Sequence, residues 1–85
     1  MLHFIHENHG TCSKCVIFDI DDEKRIHNLQ FVGGCPGNTT GLSQLVEGME
    51  AEEVVNRLQG IRCGVKNTSC PDQLASAVIE ALQDL

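Results

Sequence analysis

The chain has 85 residues, and its size and charge exclude several classes of protein. Twelve acidic residues against six basic ones give a net charge of −6, which leaves no excess of Lys and Arg to neutralise the phosphates of a nucleic acid or of an anionic membrane. No apolar run approaches the length of a membrane span, and the first residues show no basic region or cleavage pattern. We therefore expect one cytoplasmic domain over residues 1–85.

The first third of the chain predicts three strands. Residues 2–8 mix apolar and polar side chains without a helix cap, and residues 16–20 alternate between apolar and other positions with a period of two. A polar turn over 21–24 separates this second strand from a third over 26–32. Because the connections are short, an antiparallel meander is the expected arrangement.

The apolar period becomes helical after residue 34. A first helix is predicted with Asn38 or Thr39 as its cap, and a second short helix is expected to end at Gly60. A third helix is expected to begin near Cys70, where Pro71 suits the first helical position. The apolar stripe of the first helix is Leu42, Leu45, Val46 and Met49. The stripe of the third is Leu74, Ala75, Val78, Ile79 and Leu82. The predicted fold class is therefore α+β, a three-stranded antiparallel sheet followed by three helices packed on one face.

Five cysteines are the unusual feature of this composition, at positions 12, 15, 35, 63 and 70. An odd number without an export signal does not suit a disulfide framework, and in a reducing compartment clustered cysteines more often bind metal or carry out redox chemistry. Cys12, Cys35, Cys63 and Cys70 all fall at predicted junctions between elements, close to Gly or Pro. Residues that are buried only for packing usually lie inside strands and helices, so this placement points to a function.

These junctions favour a thiolate site. Glycine lets the backbone approach an ion closely, and a helix start carries a partial positive charge that stabilises a thiolate. Thiolates bind soft metals, so we expect Cys12, Cys35, Cys63 and Cys70 to bind Zn²⁺ or an iron–sulfur cluster. Four thiolates would surround zinc as a tetrahedron at about 2.3 Å and close the site to substrate. Cys15, at the predicted start of a strand, is a weaker candidate ligand.

Three other interpretations of the cysteines stay open. They are reduced core residues that behave as small hydrophobic groups, a disulfide framework, or a dithiol redox pair formed by Cys12 and Cys15 or by Cys63 and Cys70. No Ser-His-Asp set, pair of catalytic carboxylates or Cys-His nucleophile spacing is visible, so no catalytic residue is predicted.

The remaining polar motifs are interpreted as surface groups. His3, His6, His9 and His27 are expected to be exposed sheet residues, and the acidic run over 19–23 is expected to be a solvated turn, because it lacks the spacing of a calcium loop. Gly33, Gly34 and Gly37 precede a helix as in phosphate-binding loops, but the Lys of such a loop is missing.

The segment Thr68-Ser69-Cys70-Pro71-Asp72 is the hallmark of the TSCPD domain family, which the chain resembles over nearly its whole length. The supporting segments are Cys12-Ser13, Phe31 to Asn38, Leu45-Val46-x-Gly48 and Leu58 to Gly64. The family includes small stand-alone proteins and a domain at the C-terminal end of adenosylcobalamin-dependent ribonucleoside-diphosphate reductases. The resemblance therefore implies that the chain belongs with the proteins called ribonucleotide-reductase-like. Since 85 residues cannot hold the barrel that carries the radical chemistry, it implies an accessory to such a reductase rather than a complete enzyme.

More distantly, the order of elements resembles the iron–sulfur cluster scaffolds of the IscU/NifU type. Those proteins hold a cluster with three cysteines, in the first strand turn, after the third strand and before the last helix. The counterparts here are Cys12, Cys35 and Cys70. The chain departs from the scaffold pattern at Ser13-Lys14, where the scaffolds have Gly-Asp, and at residues 61–66, where they have a chaperone-binding segment. Cys63 adds a fourth thiolate, which favours a closed site. The resemblance implies cluster-assembly machinery as a partner, and a small sheet with one helix-covered face is compatible with a homodimer.

Overall fold

A computed structural model describes residues 1–11, 13–34, 36–62, 64 and 68–85 of the chain. Three strands come first: β1 (Leu2–Glu7), β2 (Ser13–Ile20) and β3 (Ile26–Gly33). Three helices follow: α1 (Pro36–Val46), α2 (Ala51–Leu58) and α3 (Cys70–Gln83). The strands form one antiparallel sheet in the order β1-β2-β3. This architecture confirms the predicted α+β fold, with a sheet followed by three helices.

One face of the sheet carries the core. In β2, Val16, Phe18 and Ile20 are fully buried, and the ring of Phe18 stacks on that of Phe4 with 5.6 Å between their centroids. On the opposite face, Ile5 is 67% exposed. Because side chains alternate across a strand, this difference shows that the helices cover only one side of the sheet.

The predicted apolar stripe of α3 forms the other half of the core. Leu74, Ala75 and Val78 are completely buried, and Leu82 packs against the edge of the same cluster. Val54 of α2 joins them. Among the described helices, none is both long enough and apolar enough to cross a bilayer.

Helix α1 differs from its prediction at its start. It begins at Pro36, whereas Asn38 or Thr39 was expected to be the cap, and both of those residues lie inside the helix. Proline suits a first helical position, since its fixed φ is already helical and its missing N–H has no partner to lose there.

The predicted apolar stripe of α1 is also partly wrong. Leu45 is 70% exposed, whereas Val46 is buried and Leu42 packs against the core. A residue turns about 100° around the axis from its neighbour, so a helix that points Leu42 and Val46 at the sheet directs Leu45 away from it. Met49 packs against the core from beyond the end of the helix.

A β-bulge interrupts the pairing of β2 with β3 near their ends. Ser13 pairs with Gly33 and Cys15 pairs with Val32, so Lys14 is an extra residue in β2. An extra residue reverses the alternation of side chains. Ser13 is therefore buried on the helix side of the sheet, although Cys15, two residues later, is half-buried on the other side.

A second bulge lies further along the same pair. Ile17 pairs with Gln30 and Asp19 pairs with His27, which leaves one extra residue in β3. Asn28 in this interval has a φ of 56°, a left-handed conformation that Asn adopts more readily than most residues. The bulge brings His27 and Asn28 beside the end of α1.

Candidate functional site

Cys70 is the first residue of α3, and its thiol is free and half-buried. The preceding residue, Ser69, caps the helix: its hydroxyl accepts a hydrogen bond from the backbone N–H of Asp72 at 3.2 Å. The same hydroxyl donates to the carbonyl oxygen of Ile61 at 2.7 Å. The predicted helix start at Cys70 is confirmed, and Ser69 ties it to the segment that follows α2.

The turn between β1 and β2 contacts this helix start. The hydroxyl oxygen of Ser13 lies 3.1 Å from the Cys70 sulfur. The amide of Asn8 donates to the same hydroxyl oxygen at 2.8 Å, and the hydroxyl of Thr11 lies 3.1 Å from it. A buried polar cluster from the first turn of the sheet therefore borders the only one of the four predicted thiolate ligands that the structure describes.

Three further contacts hold the turn in place. The backbone N–H of His9 donates to the side chain of Gln73 at 3.0 Å, and Gln73 donates to the Thr68 hydroxyl at 3.1 Å. Gly10 has a φ of +78°, and a Cβ atom at this position would come within 3.0 Å of the Thr68 methyl group. Glycine is thus required here both by the backbone conformation and by the close approach.

Asp72 organises the residues around the start of α3. One of its carboxylate oxygens accepts a short hydrogen bond from the Thr68 hydroxyl, and the other accepts from the backbone N–H of Gly60 at 2.7 Å. A carboxylate in the first turn also complements the partial positive charge of the helix start. The hallmark residues Thr68, Ser69 and Asp72 therefore have structural roles that fix the position of Cys70.

Cys12, Cys35 and Cys63, the other three predicted ligands, lie outside the described residues. Within the described ranges, no group of three or more His, Cys, Asp or Glu side chains has the arrangement of a metal site. Cys15 is a free thiol near the start of β2, on the sheet face opposite Ser13. Its role as a weaker ligand stays a prediction, as does the four-thiolate site itself.

A cluster that the sequence analysis missed surrounds His27. Its Nε2 lies 2.6 Å from a carboxylate oxygen of Asp21, and its Nδ1 lies 2.5 Å from a carboxylate oxygen of Glu47. Ionised carboxylates only accept hydrogen bonds, so both ring nitrogens can donate to them at once only when the ring is protonated, and the arrangement therefore favours the imidazolium form. We call Asp21, His27 and Glu47 the histidine clamp.

The electrostatics of the clamp agree with this protonation state. Hydrogen bonds that the ring donates, first to Asp21 and then to Glu47, raise the pKa of His27 above its ordinary value. The pKa of Asp21 is lowered, first by the backbone N–H of Arg25 and then by His27. The pKa of Glu47 is lowered in the same way, first by the backbone N–H of Asn28 and then by His27.

The clamp continues to the edge of the sheet. The Asn28 amide donates to Asp19 at 2.9 Å, and Asp19 also lies 2.6 Å from Nδ1 of His3. These two contacts lower the pKa of Asp19. The prediction of a solvated turn over 19–23 is therefore only partly right: Asp22 and Glu23 form an exposed turn, whereas Asp19 lies in β2, and both Asp19 and Asp21 bind histidines. His6 also differs from its prediction, because it faces α3 and lies 3.1 Å from Glu80.

Comparison with known proteins identifies the family. The family model of the TSCPD domain matches residues 4–82, which include every described residue of the cluster around Cys70. No curated protein and no solved structure matches the chain, so the resemblance to the IscU/NifU-type scaffolds stays a prediction. Since the match covers nearly all of the 85 residues, the chain belongs to the TSCPD domain family.

Proposed function

We propose that this chain is a small metal-binding module, in which Cys12, Cys35, Cys63 and Cys70 hold Zn²⁺ or an iron–sulfur cluster as thiolates. Both kinds of centre use the same set of four soft ligands. The site would be closed, because four protein thiolates leave no position for a substrate on zinc.

The observation that supports this proposal is the meeting of the cysteine-bearing segments at the start of α3. Ser13, next to position 12, contacts the Cys70 sulfur at 3.1 Å. Ser13 is also paired in the sheet with Gly33, two residues before position 35. Ile61, two residues before position 63, accepts a hydrogen bond from Ser69 at 2.7 Å. Described neighbours of all four positions therefore border one small region.

The chain itself would contribute in two ways to such a centre. The N-terminal end of α3 offers a partial positive charge, which complements the negative charge of a metal-bound centre at this end of the helix. A bound metal would in turn stabilise the fold, because the ligands come from distant segments and the site does not exist in the unfolded chain. Domains of this size often need such help, since their cores are small.

The test is elemental analysis and visible absorption spectroscopy of protein purified without oxygen, combined with two variants. We expect about one zinc, or stoichiometric iron with a coloured spectrum, in the wild type and a loss of metal in Cys70→Ser. At free metal near 100 times the Kd, binding contributes about 2.7 kcal/mol. For a domain of this size, that corresponds to a fall in Tm of about 10 °C or more in Cys70→Ser or after chelation.

Cys15→Ser removes the thiol of the weaker candidate ligand, which lies on the opposite face of the sheet; the four-thiolate proposal expects this variant to keep the metal content of the wild type. A wild-type protein that is free of metal, with the same Tm before and after chelation, would contradict the proposal.

A thiol redox accessory is the second candidate function, because a free, half-buried thiol at a helix start is the environment of reactive cysteines. In this case the chain would act beside a reductase, as a relative of the C-terminal domain of adenosylcobalamin-dependent ribonucleoside-diphosphate reductases. Metal-free protein with two thiols that interconvert reversibly with a disulfide would favour this function over metal binding.

A further inference from the structure

We propose that the free edge of β1 is a dimer interface, at which a second copy of this chain adds its own β1 in the antiparallel direction. The two three-stranded sheets then join into one sheet about a two-fold axis. The inference goes beyond the proposed function and does not depend on the metal site, because β1 contains no cysteine.

The outer edge of β1 has unpaired backbone groups. Among the described residues, β2 is the only strand that pairs with β1, and the backbone of Leu2–Glu7 forms no hydrogen bond outside that pairing. In an edge strand, alternate residues turn their N–H and C=O groups away from the sheet. These groups form a template to which a further strand can bind.

The opposite edge of the sheet, at β3, is covered. The backbone N–H of Ile26 donates to the carbonyl oxygen of Met49 at 2.9 Å, and that of Gly48 donates to the carbonyl oxygen of Ile26 at 2.7 Å. The N–H of Asn28 donates to the carboxylate of Glu47 at 2.8 Å. Segments of the chain itself therefore protect this edge, as covering loops and bulges do in many proteins.

β1 lacks the features that usually protect an edge strand. Its sequence contains no Pro or Lys, and it pairs with β2 in an unbroken register from Leu2 to Glu7. Two of its apolar side chains are also exposed, Leu2 by 53% and Ile5 by 67%. A regular, partly apolar edge of this kind binds another strand readily, so we expect it to be covered in solution.

β1 is complementary to itself in one antiparallel register. Directly opposite residues of an antiparallel pair point to the same face, so a two-fold register pairs odd-numbered residues with odd-numbered ones. With the axis at Ile5, this residue faces its own copy, and His3 lies opposite Glu7 of the second copy. The Nδ1 of His3 already lies 2.6 Å from Asp19, so a second carboxylate would use Nε2. His3 would then lie between two carboxylates, as His27 does in the histidine clamp.

The same register joins apolar residues on the outer face of the sheet. Ile5 pairs with Ile17 of β2, and both side chains lie on the face away from the helices. In the dimer, the pairs from the two copies meet at the axis and form a continuous apolar row. Cross-strand apolar pairs stabilise a sheet, and this row covers the most exposed apolar side chain of β1.

Two-fold symmetry limits the assembly to two copies. An isologous interface closes on itself, whereas head-to-tail addition of strands would continue as a fibre. The covered edge of β3 blocks further addition at the far ends of the joined sheet. Because the interface is narrow, we expect a weak dimer with a Kd on the order of micromolar.

The first measurement uses the wild-type chain, purified as for the metal analysis. Sedimentation velocity over a series of protein concentrations gives the Kd of the dimer. Hydrogen exchange followed by mass spectrometry, on the same series, reports on the edge directly. We expect the amide hydrogens of Leu2–Glu7 to exchange more slowly as the protein concentration rises, because the second strand takes up the free N–H groups, and those of Ala51–Leu58 to stay unchanged.

Two variants with matched controls locate the interface. Ile5→Lys places like charges opposite each other at the axis and is expected to raise the Kd by about 10-fold or more. Leu45→Lys is its control, since Leu45 is 70% exposed on α1 and receives the same charge away from the interface. Glu7→Lys removes the two contacts with His3 and is expected to raise the Kd by about 2- to 30-fold. Glu23→Lys, in the exposed turn after β2, is the control for that change of charge.

Both controls should keep the Kd within about twofold of the wild-type value. Circular dichroism checks that the variants fold, which we expect because Ile5 and Glu7 are exposed. A wild-type chain that stays monomeric at every concentration would overturn the inference, and the edge would then be open to a strand from a different protein. A dimer that Ile5→Lys does not weaken would overturn it too, because the copies would meet at another surface. Either result leaves the metal content unaffected, so it is distinct from a failure of the proposed function.

Discussion

At the scale of single residues, His27 differs from its prediction. It was interpreted as an exposed sheet histidine, but its ring binds two carboxylates and links separate segments of the fold. Its two ring nitrogens contact carboxylates from two other segments, the turn after β2 and the end of α1. The signal for this clamp is absent from the local sequence, because Glu47 is twenty positions away and only the bulge at Asn28 brings the two together.

The clamp makes stability depend on pH with a definite sign. The pKa of His27 is raised in the folded protein, so its contribution to the stability of the fold is complete below the ordinary pKa of 6.5. This contribution is lost as the pH rises through the raised pKa. The pKa values of Asp21 and Glu47 are lowered. Their contribution is therefore present above their ordinary values of 3.8 and 4.5, and is lost as the pH falls through the lowered ones. The clamp stabilises the fold most between about pH 4.5 and 6.5.

We therefore predict that His27→Gln destabilises the protein more at pH 5.5 than at pH 9. Glutamine keeps a hydrogen-bonding group but cannot become charged, so the difference between the two pH values reports the imidazolium. Urea unfolding of wild type and variant at both pH values measures it. His9→Gln is the control, because His9 forms its contact with Gln73 through its backbone and not through its ring. An equal loss of stability at both pH values would contradict a charged clamp.

At the scale of elements, the candidate site depends on how closely the turn between β1 and β2 approaches the start of α3. Gly10 is the point of closest approach, with Thr68 opposite it. Gly48, which follows α1, has the same φ of +78° but no neighbouring atom within 4 Å of the position of a Cβ atom. The two glycines share a backbone conformation and differ in their surroundings, so they form a matched pair.

We predict that Gly10→Ala lowers the free energy of unfolding more than Gly48→Ala does. The left-handed conformation costs alanine about 1–2 kcal/mol at both positions. At Gly10 the added methyl group also crowds Thr68, and such overpacking costs about 1–3 kcal/mol more. Urea unfolding curves of the two variants measure the difference. Equal losses of unfolding free energy in the two variants would contradict this prediction, because they would mean that the turn can move away from α3 without destabilising the fold.

At the scale of the whole molecule, stability depends on a small core shared by β2 and α3. A chain of 85 residues is expected to have a total stability of roughly 4–13 kcal/mol, so the loss of one large core side chain removes a substantial part of it. Leu74 is completely buried at the centre of this core, and Leu45 lies largely in solvent on α1.

We predict that Leu74→Ala lowers the free energy of unfolding by about 2–5 kcal/mol, the usual range for a leucine removed from a core. Leu45→Ala should change it by no more than about 0.5 kcal/mol, as for other surface positions. Urea unfolding followed by circular dichroism compares the two. A large loss in Leu45→Ala would show that α1 is turned so that its predicted stripe, including Leu45, faces the sheet after all.

The order of the elements could be predicted from the sequence, since it depends on short-range rules. The alternation around Val16, Phe18 and Ile20 predicts a strand with one buried face, and Pro71 predicts a helix start near Cys70. The buried face of α3 followed from the spacing of its apolar residues. Each of these features depends on residues within a few positions of one another.

The tertiary structure alone decided the contacts between distant residues. Ser13 reaches Cys70 because of the bulge at Lys14, and His27 reaches Glu47 because of the bulge at Asn28. An extra residue in a strand reverses which side chains face the helices. The local pattern of apolar residues does not show where such an extra residue lies. Leu45 is exposed for a related reason, since α1 packs against β3 and its rotation about its own axis is set by that packing. Contacts across the fold depend on register and rotation, and these are chosen by the packing of the whole chain.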